Sequence, residues 1–321
     1  MIYFNALKRA SGHSAEARFF TGLRFTELKY QRNKESTEDE KMKTGKRIFA
    51  FLGAAVLGVS LVAGCGKEET KNVETAKASI DISGVTLKND GVLSVGCEVG
   101  YPPFEDLAED GKTPIGFDID IITEVAARLG LKVNIINTAW DGIFEGIDVN
   151  YDVVCSACTI TEERKANMLF STPYISNYQA VILKAGDTKK IESFNDLDGM
   201  TVALQKETTS DELLSDYKST GTISVELVAN EKILSCFTQL DNGEVDAVCV
   251  DSTVADGYLA KNPDKYVYAF KDQSEPETFG IAIGKNNTAL QEAINEALAG
   301  MEKDGFIKET YEYWFGANSA E

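Results

Sequence analysis

From Gly91 to Phe315, short aliphatic runs alternate with longer amphipathic ones, and this alternation limits the fold more than any other feature of the chain. VLSVGC (92–97) reads as a strand, as do 131–136, 152–156, 180–183, 201–204, 224–228, 245–250, 266–270 and 279–283. Between them, 118–129 is expected to be a helix with Ile121, Ile122, Val125, Ala126 and Leu129 on one face. Further helices are expected at 140–147, 210–217, 231–240, 288–303 and 305–315, a turn of helix at 193–196, and one starting at Asp251 behind a capping sequence. Strand–helix alternation implies mostly parallel sheets covered on both faces. Because the pattern restarts after Gln179, two α/β lobes are expected, and ligands gather at the C-terminal ends of such strands. At 321 residues and 43% hydrophobic, the chain is large enough to give each lobe a core.

The N-terminal part has a different character. MKTGKR (42–47) is basic, IFAFLGAAVLGVSLVAG (48–64) carries no charge, and Cys65 opens an abruptly polar stretch. Basic head, apolar stretch and small residues before a cleavage point describe an export signal over 42–64. LVAG (61–64) followed by Cys65 resembles a lipobox, which implies lipidation of Cys65 and anchoring to the outer face of the cell membrane. An uncleaved span is the lesser option, since 17 apolar residues sit at the short limit for crossing a bilayer. Residues 1–41 precede this signal, which has its own Met42, and read as an over-extended start. Residues 65–90, charged and poor in large apolar side chains, read as a tether.

Charge and histidine content remove whole classes of function. Residues 1–65 carry eleven Lys/Arg against six Asp/Glu, the remainder 21 against 45. A body that acidic argues against nucleic acid as a partner, where clustered positive charge supplies most of the affinity. The single histidine, His13, lies in the doubtful leader, so the exported body has no imidazole for a catalytic triad or a zinc site, and no metal or other cofactor is expected. Beyond Cys65 there are five cysteines, an odd number. Cys97, Cys155 and Cys249 sit in apolar strand-like runs and read as buried small hydrophobes, and Cys155-x-x-Cys158 has no second pair at zinc-ribbon spacing.

One stretch suggests chemistry. SACTITEER (156–164) sets three hydroxyls and an arginine together with no base to activate a nucleophile, which suits holding an anion. With YPPF (101–104), GFDIDIITEVAARL (116–129), WDG (140–142), FSTPY (170–174), GEVDA (243–247) and FGIAI (279–283), by their order and spacing along the chain, the chain resembles solute-binding protein family 3. These are the extracytoplasmic receptors of ABC importers for polar amino acids. The resemblance, from about 91 to 315, implies a type II periplasmic-binding-protein-like fold with a hinge crossed twice. It divides the chain into lobe 1 (91–180 plus 276–321) and lobe 2 (181–275), with crossings near 178–184 and 271–277.

A free amino acid is a zwitterion, so its site needs an anion half and a cation half. The guanidinium of Arg164 can fork onto a carboxylate, which a lysine cannot reproduce. The resemblance places Arg164 and Thr159 on the ligand, and Ser156 and Ala157 there through main-chain groups. It gives Asp251 the α-ammonium, although Asp251 also fits a helix N-cap. Tyr101, Phe104 and Trp140 are implied as walls around the ligand side chain, with ordinary core packing the competing reading for Trp140 and the favoured one for Phe104. Glu98 hints at a basic ligand, although the resemblance also allows a cystine receptor, where Glu can stand here too. In the second lobe the family pattern Gln-x-Gly-Thr-Thr is replaced by QKETT (205–209), so Glu207 puts a side chain and a charge where glycine is usual. Thr208 and Thr209 remain expected donors. The implied partners are a free amino acid and an ABC permease in the cytoplasmic membrane, with the receptor a monomer. An exported dehydratase on the same fold is the competing expectation, with Glu98 and Asp251 as acid and base.

Overall fold

The computed structural model describes residues 80–316. The expected export signal at 42–64, the over-extended start at 1–41, the lipid attachment at Cys65 and most of the tether lie outside them.

Two five-stranded sheets organise the molecule. In the first lobe the order is β4 (Lys132–Asn137), β1 (Val92–Cys97), β5 (Val153–Val154), β14 (Ala282–Ile283) and β6 (Leu169–Phe170). β1 pairs in parallel with both β4 and β5, and β14 runs antiparallel to its neighbours. In the second lobe the order is β10 (Glu226–Asn230), β9 (Thr201–Gln205), β11 (Ala247–Asp251), β8 (Gln179–Lys184) and β12 (Tyr266–Lys271). β9 is parallel to β10 and β11, while β8 is antiparallel to β11 and β12. A short hairpin of β2 (Asp106–Leu107) and β3 (Pro114–Ile115) follows β1. The chain passes between lobes twice, through β7 (Ile175–Asn177) and β13 (Glu277–Phe279), which pair antiparallel as a two-stranded ribbon.

The helices follow the hydrophobic pattern. α1 (Phe117–Arg128) buries Ile121, Ile122, Val125 and Ala126, as its spacing predicts. It starts at Gly116, whose φ of 144° places a would-be Cβ 2.0 Å from the Phe104 carbonyl oxygen, so only glycine fits. α2 (Glu162–Asn167) is a short helix capped by Thr161, whose hydroxyl accepts the Arg164 N–H. The second lobe is covered by α3 (Thr209–Ser219), α4 (Ile233–Asn242) and α5 (Ser252–Lys261). α6 (Thr288–Lys303) and α7 (Phe306–Phe315) return to the first lobe, where α6 buries Leu290, Ile294, Leu298 and Met301.

Three expectations change. The helix expected at 140–147 is one 3-10 turn, Phe144–Gly146, because Gly142 at φ 74° breaks the run. The strand expected at 279–283 splits at Gly280 into β13 and β14, which belong to different sheets. Residues 80–90 are not tether: Ile80, Ile82, Val85 and Leu87 pack against the main core, and Lys88 donates its N–H to Asp152 at 2.7 Å. Period-two aliphatics among polar residues were enough to seat them. The five described cysteines are buried and unpaired.

Candidate functional site

Five of the residues that matter sit at C-terminal ends of neighbouring strands. Glu98 follows β1, Ser156 and Ala157 follow β5, Gln205 ends β9 and Asp251 ends β11. With Tyr101, Trp140, Thr159, Arg164, Thr208 and Thr209, they line one pocket between the lobes. Phe104 is the exception among the expected wall residues. It is fully buried against Phe117, Phe279 and Phe315, so it supports Tyr101 from the core and lines nothing.

The first lobe supplies the cation. Arg164, 8% exposed, lies on α2 with its guanidinium carbon 5.5 Å from the Trp140 ring centre and 5.1 Å from that of Phe144. Aromatic faces hold a guanidinium in this way without consuming its donors. One of its nitrogens donates to the Thr159 carbonyl at 3.0 Å, and another reaches the Glu207 carbonyl at 3.4 Å. Glu162, two residues before it, pairs with Lys165 instead. Glu212, in the second lobe, stands 4.0 Å away.

Around this cation, groups expected to face a ligand are partly committed elsewhere. The Ser156 hydroxyl donates to Glu105 at 2.7 Å and accepts the Glu98 N–H at 2.9 Å. The Ala157 N–H donates to Asp118 at 2.6 Å, in a left-handed conformation at φ 48°. Asp118 and Glu105 are fully buried behind the pocket wall, and desolvation pushes both carboxyls well up. In the second lobe, Thr208 caps α3 and donates to the Gln205 carbonyl, and Thr209 accepts from Gln179.

The departure at Glu207 resolves simply. Its φ of 59° keeps the left-handed backbone that a glycine would adopt, and its carbonyl takes the Trp140 indole N–H at 3.1 Å. The side chain itself is exposed, so its charge stays outside the pocket.

Two acids face the pocket from different lobes. Asp251 accepts from Asn177 at 2.6 Å, Gln179 at 2.9 Å and the Tyr101 hydroxyl at 2.6 Å. It stands at the head of α5 but makes no side-chain cap, so the carboxylate is turned wholly into this cluster. Burial, then repulsion from Glu277, raises its pKa to about 7 despite those three donors. Glu98 accepts from Lys232 at 2.7 Å and Gln205 at 2.8 Å. Burial raises its pKa, opposed by Lys232 and Gln205. Lys232 gave no signal in the sequence: it precedes α4, 134 positions from its partner. Gln205 could have been found as the last residue of a parallel strand, where the fold collects ligand groups.

Opposed fixed charges across two strand-end clusters match a known architecture. The family model described as bacterial extracellular solute-binding proteins, family 3, matches residues 93–317. The chain belongs to this family. Among curated relatives of this family 3 chain, the L-cystine-binding protein TcyJ of Escherichia coli K12 is 34% identical over 234 residues, 72% of this chain and 85% of the relative. ABC transporter arginine-binding protein 1 of the same organism is 31% identical over 228 residues, covering 70% of this chain and 90% of that protein. Among solved structures, an ancestral arginine-binding protein bound to glutamine superposes with a TM-score of 0.66 at 37% identity, over 71% of this chain and 99% of that one. Both curated relatives are binding proteins and not enzymes, which leaves the dehydratase expectation without support.

Proposed function

We propose that this chain is the extracytoplasmic amino-acid receptor of an ABC importer, capturing its ligand by closure of two lobes. The observation that carries the reading is a single buried pocket with Arg164 presented by the first lobe and Asp251 by the second. A zwitterion bridges them: its α-carboxylate takes the guanidinium fork with help from Thr159, Thr208 and Thr209, and its α-ammonium takes Asp251. The ligand side chain then extends between Tyr101 and Trp140 toward Glu98 and Gln205. Because the two charges sit on different lobes, a ligand touching both favours the closed arrangement by its differential contact, and the β7–β13 ribbon is the hinge. The relatives named for cystine and arginine, and the glutamine-bound neighbour, support an amino acid as the ligand.

The same reading covers the rest of the chain. Translation begins at Met42, the signal 42–64 is removed, and a lipid on Cys65 holds the receptor at the membrane, where the closed monomer docks on its permease. Lobe 1 comprises 91–180 plus 276–321, and lobe 2 comprises 181–275. Calorimetric titration of the twenty amino acids and L-cystine is the test. At least one should bind, and Arg164→Ala should weaken that binding by about 2–5 kcal/mol. Undiminished affinity in Arg164→Ala sinks the assignment of the site.

A further inference from the structure

At the far end of the pocket from Arg164, Glu98 is 2% exposed and already has a cation. Lys232 reaches over from the second lobe to place Nζ 2.7 Å from one carboxylate oxygen, while the Gln205 amide donates to the other. The Lys232 side chain is 43% exposed and does not line the pocket, so it approaches Glu98 from the solvent side. The pocket wall itself presents Arg164 against two acids, Asp251 and Glu98. Lys232 restores the balance of charge.

A second observation concerns Gln205. Its Nε2 donates to Glu98 at 2.8 Å and to the Glu231 carbonyl at 3.0 Å. Both partners are acceptors, which fixes the amide's orientation and leaves Oε1 the free end. That oxygen is buried in a residue 2% exposed, on the pocket wall, and has no hydrogen-bond partner among the described residues. A buried acceptor without a donor is costly, so the site calls for a donor on whatever fills it.

Resting on the amino-acid reading, we infer that Lys232 is the specificity-determining residue of this receptor. By occupying Glu98 it selects a side chain with no net charge that ends in an N–H donor for Gln205 Oε1. The energetics follow from exchange. A ligand whose side chain ends without net charge leaves the Glu98–Lys232 pair intact and adds a hydrogen bond to Gln205. A ligand ending in a guanidinium or ammonium must share Glu98 with Lys232 or replace it, so it trades one ion pair for another with no new pairing gained. Remove Lys232, and the buried Glu98 has lost its cation, which a basic ligand then supplies. Two ligand types meet the description: a primary amide such as glutamine, and the second, dipolar head of cystine.

Titration calorimetry with L-glutamine, L-cystine and L-arginine on the receptor prepared without its lipid, wild type and variants, tests the inference. The wild type should bind glutamine or cystine more tightly than arginine. In Lys232→Ala the ratio of arginine affinity to that of the preferred uncharged ligand should rise at least tenfold. Lys232→Arg, which keeps the charge, should hold the wild-type ratio, and Lys232→Ala with Glu98→Gln should return toward it. Weaker closure from loss of a contact between lobes would lower all affinities together and leave the ratio unmoved, so the ratio reads specificity alone. A wild type that prefers arginine, or a ratio unchanged in Lys232→Ala, overturns the inference and leaves the amino-acid reading standing. A wild type that binds no free amino acid overturns both.

Discussion

Asp251 and Glu98 invite comparison because they are so alike. Each is a buried carboxylate at the C-terminal end of a parallel strand, and each faces the same pocket from its own lobe. Their surroundings differ in one respect. Glu98 has a lysine, whereas Asp251 has only neutral donors and a neighbouring acid, Glu277. A buried carboxylate held by amides and a hydroxyl keeps an unmet demand for positive charge, which the ligand ammonium of the proposed function would satisfy. The lesson is that position at a strand end nominates a residue, but its counter-charge decides whether it is spare.

The largest effects should separate the two acids. Asp251→Asn sets an amide against three donors and removes the carboxylate proposed for the ammonium, so affinity for the preferred amino acid should fall by about 2–5 kcal/mol. Arg164→Ala should cost a similar amount, and Arg164→Lys should recover little of it because the fork is lost. Glu98→Gln should cost about 1 kcal/mol or less for a ligand of uncharged side chain, in line with an ordinary net hydrogen bond. Calorimetry on the four variants decides the matter, and equal losses at 98 and 251 would erase the distinction drawn here.

A smaller effect lies in the pH dependence of binding. In the free protein the Asp251 carboxyl is raised to about 7, and an ammonium in contact pulls it back down. Binding therefore releases a proton, so affinity should rise with pH up to about 7 and level off above it. The slope cannot exceed about 1.4 kcal/mol per pH unit for one proton. Titration between pH 5.5 and 8.5, in buffers of differing ionisation heat, counts that proton directly. Asp251→Asn should flatten the profile, while Glu98→Gln should leave it, since Lys232 stays with Glu98 before and after binding. A flat wild-type profile would mean that Asp251 is ionised throughout.

Much of this was legible in the sequence and some was not, for physical reasons. Strand ends are local features, so Glu98, Ser156, Ala157 and Asp251 could be placed on one side of two sheets before any coordinates. Arg164 could be singled out because nothing near it in sequence makes use of a fork. Phe104 stayed open between wall and core because a Pro-rich loop gives no period from which to tell its inward side chains from its pocket-facing ones; the structure turns Tyr101 out and Phe104 in. Glu207 misled, since a side chain was assumed to follow its backbone into the site, whereas only its carbonyl does. Lys232 was illegible because its partner is set by how the lobes meet, and no local pattern encodes that.

The smallest expected effect tests the comparison from the side of stability. If the Glu98–Lys232 pair serves to select ligands, breaking it should matter little to the fold. Glu98→Gln removes a buried charge, leaves the half-exposed Lys232 free to rehydrate, and gives Gln205 an amide oxygen to bond in place of the carboxylate. Partly exposed ion pairs contribute about 0–1 kcal/mol, and the desolvation of Glu98 offsets part of that. For a domain of this size the melting temperature should move by no more than about 4 °C in either direction. Differential scanning calorimetry of the ligand-free variant measures it. A drop of more than about 10 °C would identify the pair as a fastener between the lobes, and the contrast between a spoken-for acid and a spare one would then describe folding rather than recognition.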